Sequence, residues 1–267
     1  MSVGGVAMSR VWLAALLLAL LALAGCAPQP SATGRAVPVS MEQALADHIQ
    51  LGLSYIGEGN RDSARHHLHK ALEIDANSAG VHNGLALLYQ MEQESELAER
   101  HYKRAIALDR NYTRAHNNYG VFLVQQQRVD EAHRQFQLAT RDIGYDQRPQ
   151  AFLSLGVTAN MLGREQEAVE AWSRAIALDP RLPLPYLELA DYQYRLRDYP
   201  QARRYLAGYD NLAGPSARSL WLGLRLEHHF GNRDGVASKA LALSKLFPYS
   251  QEYLEYQEWL ENEQDQQ

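Results

Sequence analysis

One phrase recurs along this chain. It reads "ALEIDAN" at 71–77, "AIALDRN" at 105–111 and "AIALDPR" at 175–181. The first two copies start 34 residues apart, and the third starts 70 residues further on, two periods plus two extra residues. A fixed period of this length constrains the fold more than any local motif, because every unit must then take the same supersecondary form. Within a unit, apolar and small residues return at helical spacing. The turn-forming stretches "EGNRD" (58–62), "LGRE" (162–165) and "FGNRD" (230–234) fall between two such runs. Each unit therefore reads as two antiparallel helices. A helix pair this short cannot bury its own apolar face, so the units must stack and share a core.

The pattern resembles the tetratricopeptide repeat, which implies an all-α, superhelical solenoid. Units that start at Leu45, Ala79, Thr113, Pro149 and Pro183 all match it. Position 8 is small in each (Gly52, Ala86, Gly120, Gly156, Ala190), as is position 20 (Ala64, Ala98, Ala132, Ala168, Ala202). Small residues there let two helices approach, and the large residue at position 24 (Leu68, Tyr102, Phe136, Trp172, Leu206) fills the remaining groove. A sixth unit is degenerate: its second helix fits a start at Ala217, with Val236 and Ala240, and its first helix fits one residue earlier, with Gly223. The expected organisation is six repeats over 44–250, then a capping helix and polar tail over 251–267. Ser250 is a good N-cap for that last helix, and Tyr253, Leu254, Tyr256 or Trp259 would cover the final repeat.

The first 26 residues carry a single charge, Arg10, followed by the run "VWLAALLLALLALAGCA". Its apolar part is about 16 residues, short of the roughly 20 a spanning helix needs. A basic residue, a short apolar core and small residues describe a secretory signal, with an uncleaved anchor helix as the alternative. Met8 offers a second possible start. Cys26 is the chain's one cysteine, so no disulfide framework exists. The stretch Leu23-Ala24-Gly25-Cys26 resembles the lipobox of bacterial lipoproteins. That resemblance implies removal of 1–25, a diacylglycerol on the Cys26 thiol, and Cys26 as the first mature residue. Ala27 in place of Asp implies transfer to the outer membrane. Residues 26–43, rich in Pro, Ser and Gly, read as a lipidated flexible tether.

Catalytic signatures are missing from the sequence. There is no nucleophile motif, Gly-rich phosphate loop or HExxH, so neither an enzyme nor a cofactor beyond the covalent lipid is expected. A net charge of −5 without a basic cluster argues against nucleic acid. His66, His67 and His69 read as a solvated helix face rather than a metal site, with His67 turned away from the other two, and His228-His229 reads likewise. His48, His82 and His116 stand at position 4 of three successive repeats and read as packing residues.

What remains is surface. In tetratricopeptide arrays positions 2, 5, 9, 12 and 13 of the first helices line a concave groove. Here the resemblance assigns to it Ile49, Leu53, Ile56, Asn83, Leu87, Met91, Asn117, Val121, Val124, Leu153, Val157 and Met161. Asp191, Tyr194 and Arg195 follow in the fifth repeat, then Trp221, Leu224 and Arg225 in the sixth. An apolar groove with Asn at intervals suits an amphipathic helix or apolar peptide. The alternative is that many of these side chains only pack between helices. Some arrays clamp a terminal carboxylate with basic groove residues, but the first repeats carry no such set.

Longer phrases are similar to the type IV pilus biogenesis lipoproteins of the PilF/PilW family. They are "HIQLGLSYI" (48–56), "KALEIDANSA" (70–79), "NNYGVFL" (117–123), "LELADYQYRLRDYPQARRY" (187–205), "ARSLWLGLRL" (217–226) and "YSQEYLEYQ" (249–257). This resemblance implies a monomeric pilotin that binds secretin subunits and carries them to the outer membrane through its lipid. A general outer-membrane scaffold for cell-wall enzymes would share the lipobox and the repeats.

Overall fold

The computed structural model describes residues 40–264; Cys26, the leader and tether residues 27–39 lie outside them. The chain divides into two compact units, Met1–Gln43 and Ala44–Gln267, and the repeats make up the second. Among the described residues there are thirteen helices and no strands. The first helix, α1 (Met41–Gly57), pairs with α2 (Arg61–Ile74). The following repeats are α3 (Ala79–Met91) with α4 (Ser95–Leu108), α5 (Thr113–Gln125) with α6 (Val129–Ala139), and α7 (Arg148–Met161) with α8 (Glu165–Leu178). Then come α9 (Leu184–Arg195) with α10 (Tyr199–Asp210), α11 (Ala217–His229) with α12 (Arg233–Leu246), and the closing α13 (Gln251–Gln264). The all-α tetratricopeptide solenoid expected from the period is the observed fold. Helix α1 starts three residues before the expected Ala44, because the Gln43 N–H donates to Ser40 Oγ at 3.0 Å and gives the helix a cap inside the assigned tether.

The period is written into the turns. One residue after each first helix adopts positive φ: Gly59, Gln93, Gln127, Gly163, Arg197 and Gly231. They are spaced as the sequence phrase is, with the two extra residues between the third and fourth. Each turn closes with a backbone bond reaching back five residues, such as Asn60 N–H to the Tyr55 carbonyl and Arg164 N–H to the Ala159 carbonyl, both 2.8 Å. A recurring Asp closes the first four units at their other end. Asp75, Asp109 and Asp179 accept the N–H two residues ahead, from Asn77 (2.8 Å), Asn111 (2.8 Å) and Arg181 (3.0 Å). In the third repeat Asp142 does this for Gly144 at 2.9 Å and also accepts from the Thr113 hydroxyl at 2.7 Å. The two inserted residues lengthen this loop and leave Ile143 85% exposed.

Close helix approach follows the small-and-large pairing. A Cβ added to Gly120 would stand 2.7 Å from the Phe136 ring, and one added to Gly156 would stand 2.5 Å from Trp172. Tyr102, Phe136 and Trp172 are consequently buried to the last two per cent. Burying an aromatic side chain of this size is worth roughly 3 kcal/mol, so these three dominate the core of repeats two to four. The sixth repeat keeps the mixed register read from its sequence. Gly223 faces the stem of Lys239, sixteen residues on, the same offset as Gly52 to Leu68 and Gly156 to Trp172. The turn residue Gly231 and the helix start at Arg233 nevertheless keep the 34-residue spacing of a start at Ala217, so only the glycine seam is shifted by one residue. Val236 and Ala240, which suggested the start at Ala217, form a cluster with Trp221, Leu243, Tyr253, Tyr256 and Trp259. Helix α13 joins that cluster in place of a seventh repeat. Its Tyr253 N–H is capped by Ser250 Oγ at 3.2 Å, and Glu255 accepts from the Trp221 indole at 2.8 Å. Leu254 is not part of the cover and is 49% exposed.

Candidate partner-binding groove

The first helix of each repeat brings the assigned groove residues to one side, but the structure sorts them into three kinds. Ile49, Ile56 and Met91 are half-buried and pack on the core of the first repeats, with Tyr55 and Tyr89. Leu53 and Leu87 are also half-buried, and Leu87 packs on the central core. Asn83 and Asn117 are interior: Asn83 is 1% exposed, and its carbonyl accepts from the Asn118 amide at 3.0 Å. Sequence position alone made them groove groups; neighbouring helices bury them because the amide of one repeat is needed to satisfy that of the next.

The third kind forms a coherent site. Val121, Val124, Leu153 and Val157 line one apolar depression of about 280 Å³, with Phe136 and Thr158 contributing to its wall. Leu184 of α9, 46% exposed, extends it into the fifth repeat, and Gln125, Ser154 and Glu188 supply its polar rim. Met161 continues the exposed surface of α7 at 55%. Leu184 is absent from the sequence-based set, although it stands at groove position 2 of the fifth unit. The fifth unit, read as turning polar with Asp191, Tyr194 and Arg195, thus also places an apolar residue at its start.

Beyond Glu188 the surface becomes an ionic lattice. The Arg218 guanidinium donates to both carboxylate oxygens of Glu188, at 2.6 and 2.9 Å, and lies 3.6 Å from Asp191. These bonds raise the Arg218 pKa above its ordinary value. Arg195 donates to Asn160 at 3.0 Å and lies 3.7 Å from Glu165 and 3.8 Å from Asp191.

The histidines take two forms. His82 and His116 are buried, as the packing reading expects. His66 and His69 are exposed. His67, read as solvated, is instead half-buried: its Nδ1 stands 3.0 Å from His48 Nδ1, and its ring stacks on Tyr55. The second repeat repeats this arrangement, with His82 and His101 Nδ1 atoms 2.9 Å apart and His101 stacked on Tyr89. His82 Nε2 lies 3.1 Å from the Ala76 carbonyl, so Nε2 carries the proton and Nδ1 accepts from the His101 Nδ1–H. Burial, reinforced by His82, lowers the His101 pKa to about 4. Such a pair holds one proton between its facing nitrogens and serves helix packing. Among the described residues no group of three His, Cys, Asp or Glu converges as metal ligands.

Comparison with known proteins agrees with this geometry. Residues 48–78 match the tetratricopeptide repeat family. The type IV pilus assembly protein PilF of Pseudomonas aeruginosa is 37% identical over 235 residues, which covers 88% of this chain and 93% of that protein. The solved structure of Pseudomonas aeruginosa PilF superposes with a TM-score of 0.77 at 40% identity, covering 81% of this chain and 98% of that one. PilW, described as a widely conserved type IV pilus biogenesis factor, shares the fold with a TM-score of 0.70 at 24% identity over 80% of this chain and 98% of its own. With a relative this similar across nearly its whole length, and a repeat array whose turns and core follow one period, the chain belongs to the PilF family of tetratricopeptide-repeat proteins.

Proposed function

We propose that this protein is a lipid-anchored pilotin of the outer membrane that captures secretin subunits in the apolar depression of repeats three to five. The chain is a type IV pilus biogenesis protein of the PilF family and works as a repeat scaffold, not as an enzyme. The observation that carries the capture reading is the depression itself. Val121 and Leu184 are exposed and Val157 is half-buried in its wall, while most of the remaining groove is packed or ionic. An amphipathic helix or apolar strand of a client would bury that surface and leave its polar face to Gln125 and Glu188. The second half of the reading is Cys26. Acyl chains on its thiol and amine each add roughly 0.8 kcal/mol per buried CH₂, enough in combination for stable anchoring. Residues 27–40, if extended, would let the array work up to about 45–50 Å from the membrane surface. Tethered binding then needs no chemistry: one end supplies an address and the other holds the client.

Two variants separate these halves. Cys26→Ala leaves secretin capture by the purified protein intact but strands secretin away from the outer membrane in fractionated cells. Normal levels of outer-membrane secretin rings in that strain would reject lipid-driven targeting. The triple variant Val121→Glu, Val157→Glu, Leu184→Glu keeps the fold and the lipid but loses secretin in a pull-down from detergent-solubilised membranes. Undiminished capture would reject the depression as the client site.

A further inference from the structure

Helix α11 presents two arginines seven residues apart, two turns along one face, and the neighbouring helix α9 treats them differently. Arg218 meets Glu188 and Asp191 and is fully paired. Arg225 meets no carboxylate among the described residues. Its guanidinium carbon instead lies 4.5 Å from the centre of the Tyr194 ring and 5.1 Å from that of Trp221. Its Nε is buried without a hydrogen-bond partner. The contrast is one of residue type on α9: three positions past Asp191 the chain offers an aromatic ring where an acid would have closed the pair.

A guanidinium held against aromatic faces keeps its in-plane N–H donors free, and those donors match a carboxylate two at a time. The rings fix the side chain, so little freedom is lost when an anion arrives, and they exclude water that would weaken the bond. The charge around it limits the ligand to a monoanion. Arg218 and Arg195 are already neutralised, and Glu188 and Asp191 would repel a second negative charge. We propose that Arg225, set against Tyr194 and Trp221, is the seat for a carboxylate carried by the bound protein segment. This rests on the capture reading above and adds a specificity element to it. Leu184, the apolar residue that α9 gives the depression, precedes Tyr194 by ten residues, about 15 Å at helical rise. The preferred client segment therefore places an acidic group about 15 Å from its apolar anchor.

The test uses the intact lipoprotein in detergent, with Arg225→Met, which keeps the apolar stem against both rings, and Arg225→Lys, which keeps the charge. Thermal melts establish that both variants fold. In the first arm, sodium acetate is titrated at constant ionic strength against sodium chloride while the Arg225 Nε–H resonance is followed, assigned by its absence from the lysine variant. A saturable shift with acetate alone supports the seat, and an unmoved resonance overturns it. In the second arm, purified secretin is titrated against each protein. Arg225→Met weakens capture about 10- to 100-fold, Arg225→Lys recovers part of the loss, and added salt narrows the difference. Wild-type affinity in the methionine variant overturns the seat while leaving the depression as the client site. Failure of the wild-type protein itself to bind secretin overturns the capture reading, and the seat then stands or falls on the acetate arm. Secretin truncated at its C-terminus identifies the source: dependence on Arg225 survives if the acid is an Asp or Glu side chain and disappears if it is the terminal carboxylate.

Discussion

In the fourth repeat Gly156 brings α7 so close to α8 that the indole of Trp172 fills all the space a side chain would need, whereas in the sixth Gly223 brings α11 against nothing stiffer than the stem of Lys239. The two units share a helix-pair geometry and differ in what occupies the seam. Trp172 is 1% exposed, with flanking alanines at 168, 171 and 175 also buried, while Leu243 is the one fully buried side chain of α12. The inner repeats are held by pairwise interdigitation. The last is held from outside by the aromatic cluster of Trp221, Tyr253, Tyr256 and Trp259. A repeat stacked on both sides can concentrate its energy in the internal seam; a terminal one must spread it over its cap.

The largest effect that would test this contrast is truncation of the two seam residues. Trp172→Ala lowers the unfolding free energy by about 3–5 kcal/mol, and Lys239→Ala by less than about 1 kcal/mol, in urea titrations followed by circular dichroism. Comparable losses would break the comparison. Next comes the opposite manipulation, adding a methyl group. Gly156→Ala pushes on a rigid indole and destabilises by about 1–3 kcal/mol. Gly223→Ala meets lysine methylenes that can swing aside, and gains up to about 1 kcal/mol of helix propensity, so it is neutral or stabilising.

The same repeat-to-repeat logic separates the second unit from the third. His101 pairs with His82, but at the equivalent place His116 meets Gln135, with His116 Nδ1 2.7 Å from the Gln135 side-chain oxygen. His101 has a folded pKa near 4, below the 6.5 of an unconstrained imidazole. The unfolded chain therefore binds more protons between those values. The contribution of this pair is complete above pH 6.5 and fades as pH falls toward 4. With solvent screening the loss is about 1 kcal/mol. His101→Gln, which copies the third repeat, flattens the pH dependence of the melting temperature over that interval; an unchanged slope would show that other groups carry it. The smallest effect concerns the turns. Gln127 holds φ of 59° where Gly163 of the next repeat holds 72°, so Gln127→Gly raises stability by about 0.5–1 kcal/mol in the same urea assay, and Gly163→Ala lowers it by a similar amount.

Much of the fold is legible in the amino-acid sequence. The six turn residues of positive φ fall where the period puts them, yet three are Gln or Arg, so no glycine signal marks them; only the period does. Ser250 and the aromatic face of α13 are readable as cap and cover. Less of the binding surface can be read in this way. Asn83 and Val121 occupy equally outward positions in an idealised repeat, but one ends 1% exposed and the other 39%. The difference lies in the following repeat, where Asn118 reaches back to Asn83 while the space beside Val121 stays open.

By itself the sequence determined the repeat, its length, the pairing of a small residue with a large one, and the Asp that heads the closing turn of the first, second and fourth units. These are encoded within a single span of 34 residues, where local periodicity and side-chain volume leave little choice. The tertiary structure alone decided the rest. It joined four predicted residues and Leu184 into one depression, turned His67 inward, set Lys239 rather than a stiff ring against Gly223, and left Arg225 against two rings with no acid among the described residues to meet it. Each outcome depends on side chains from neighbouring helices, whose arrival a one-dimensional period announces but whose shape and charge at the contact it does not specify.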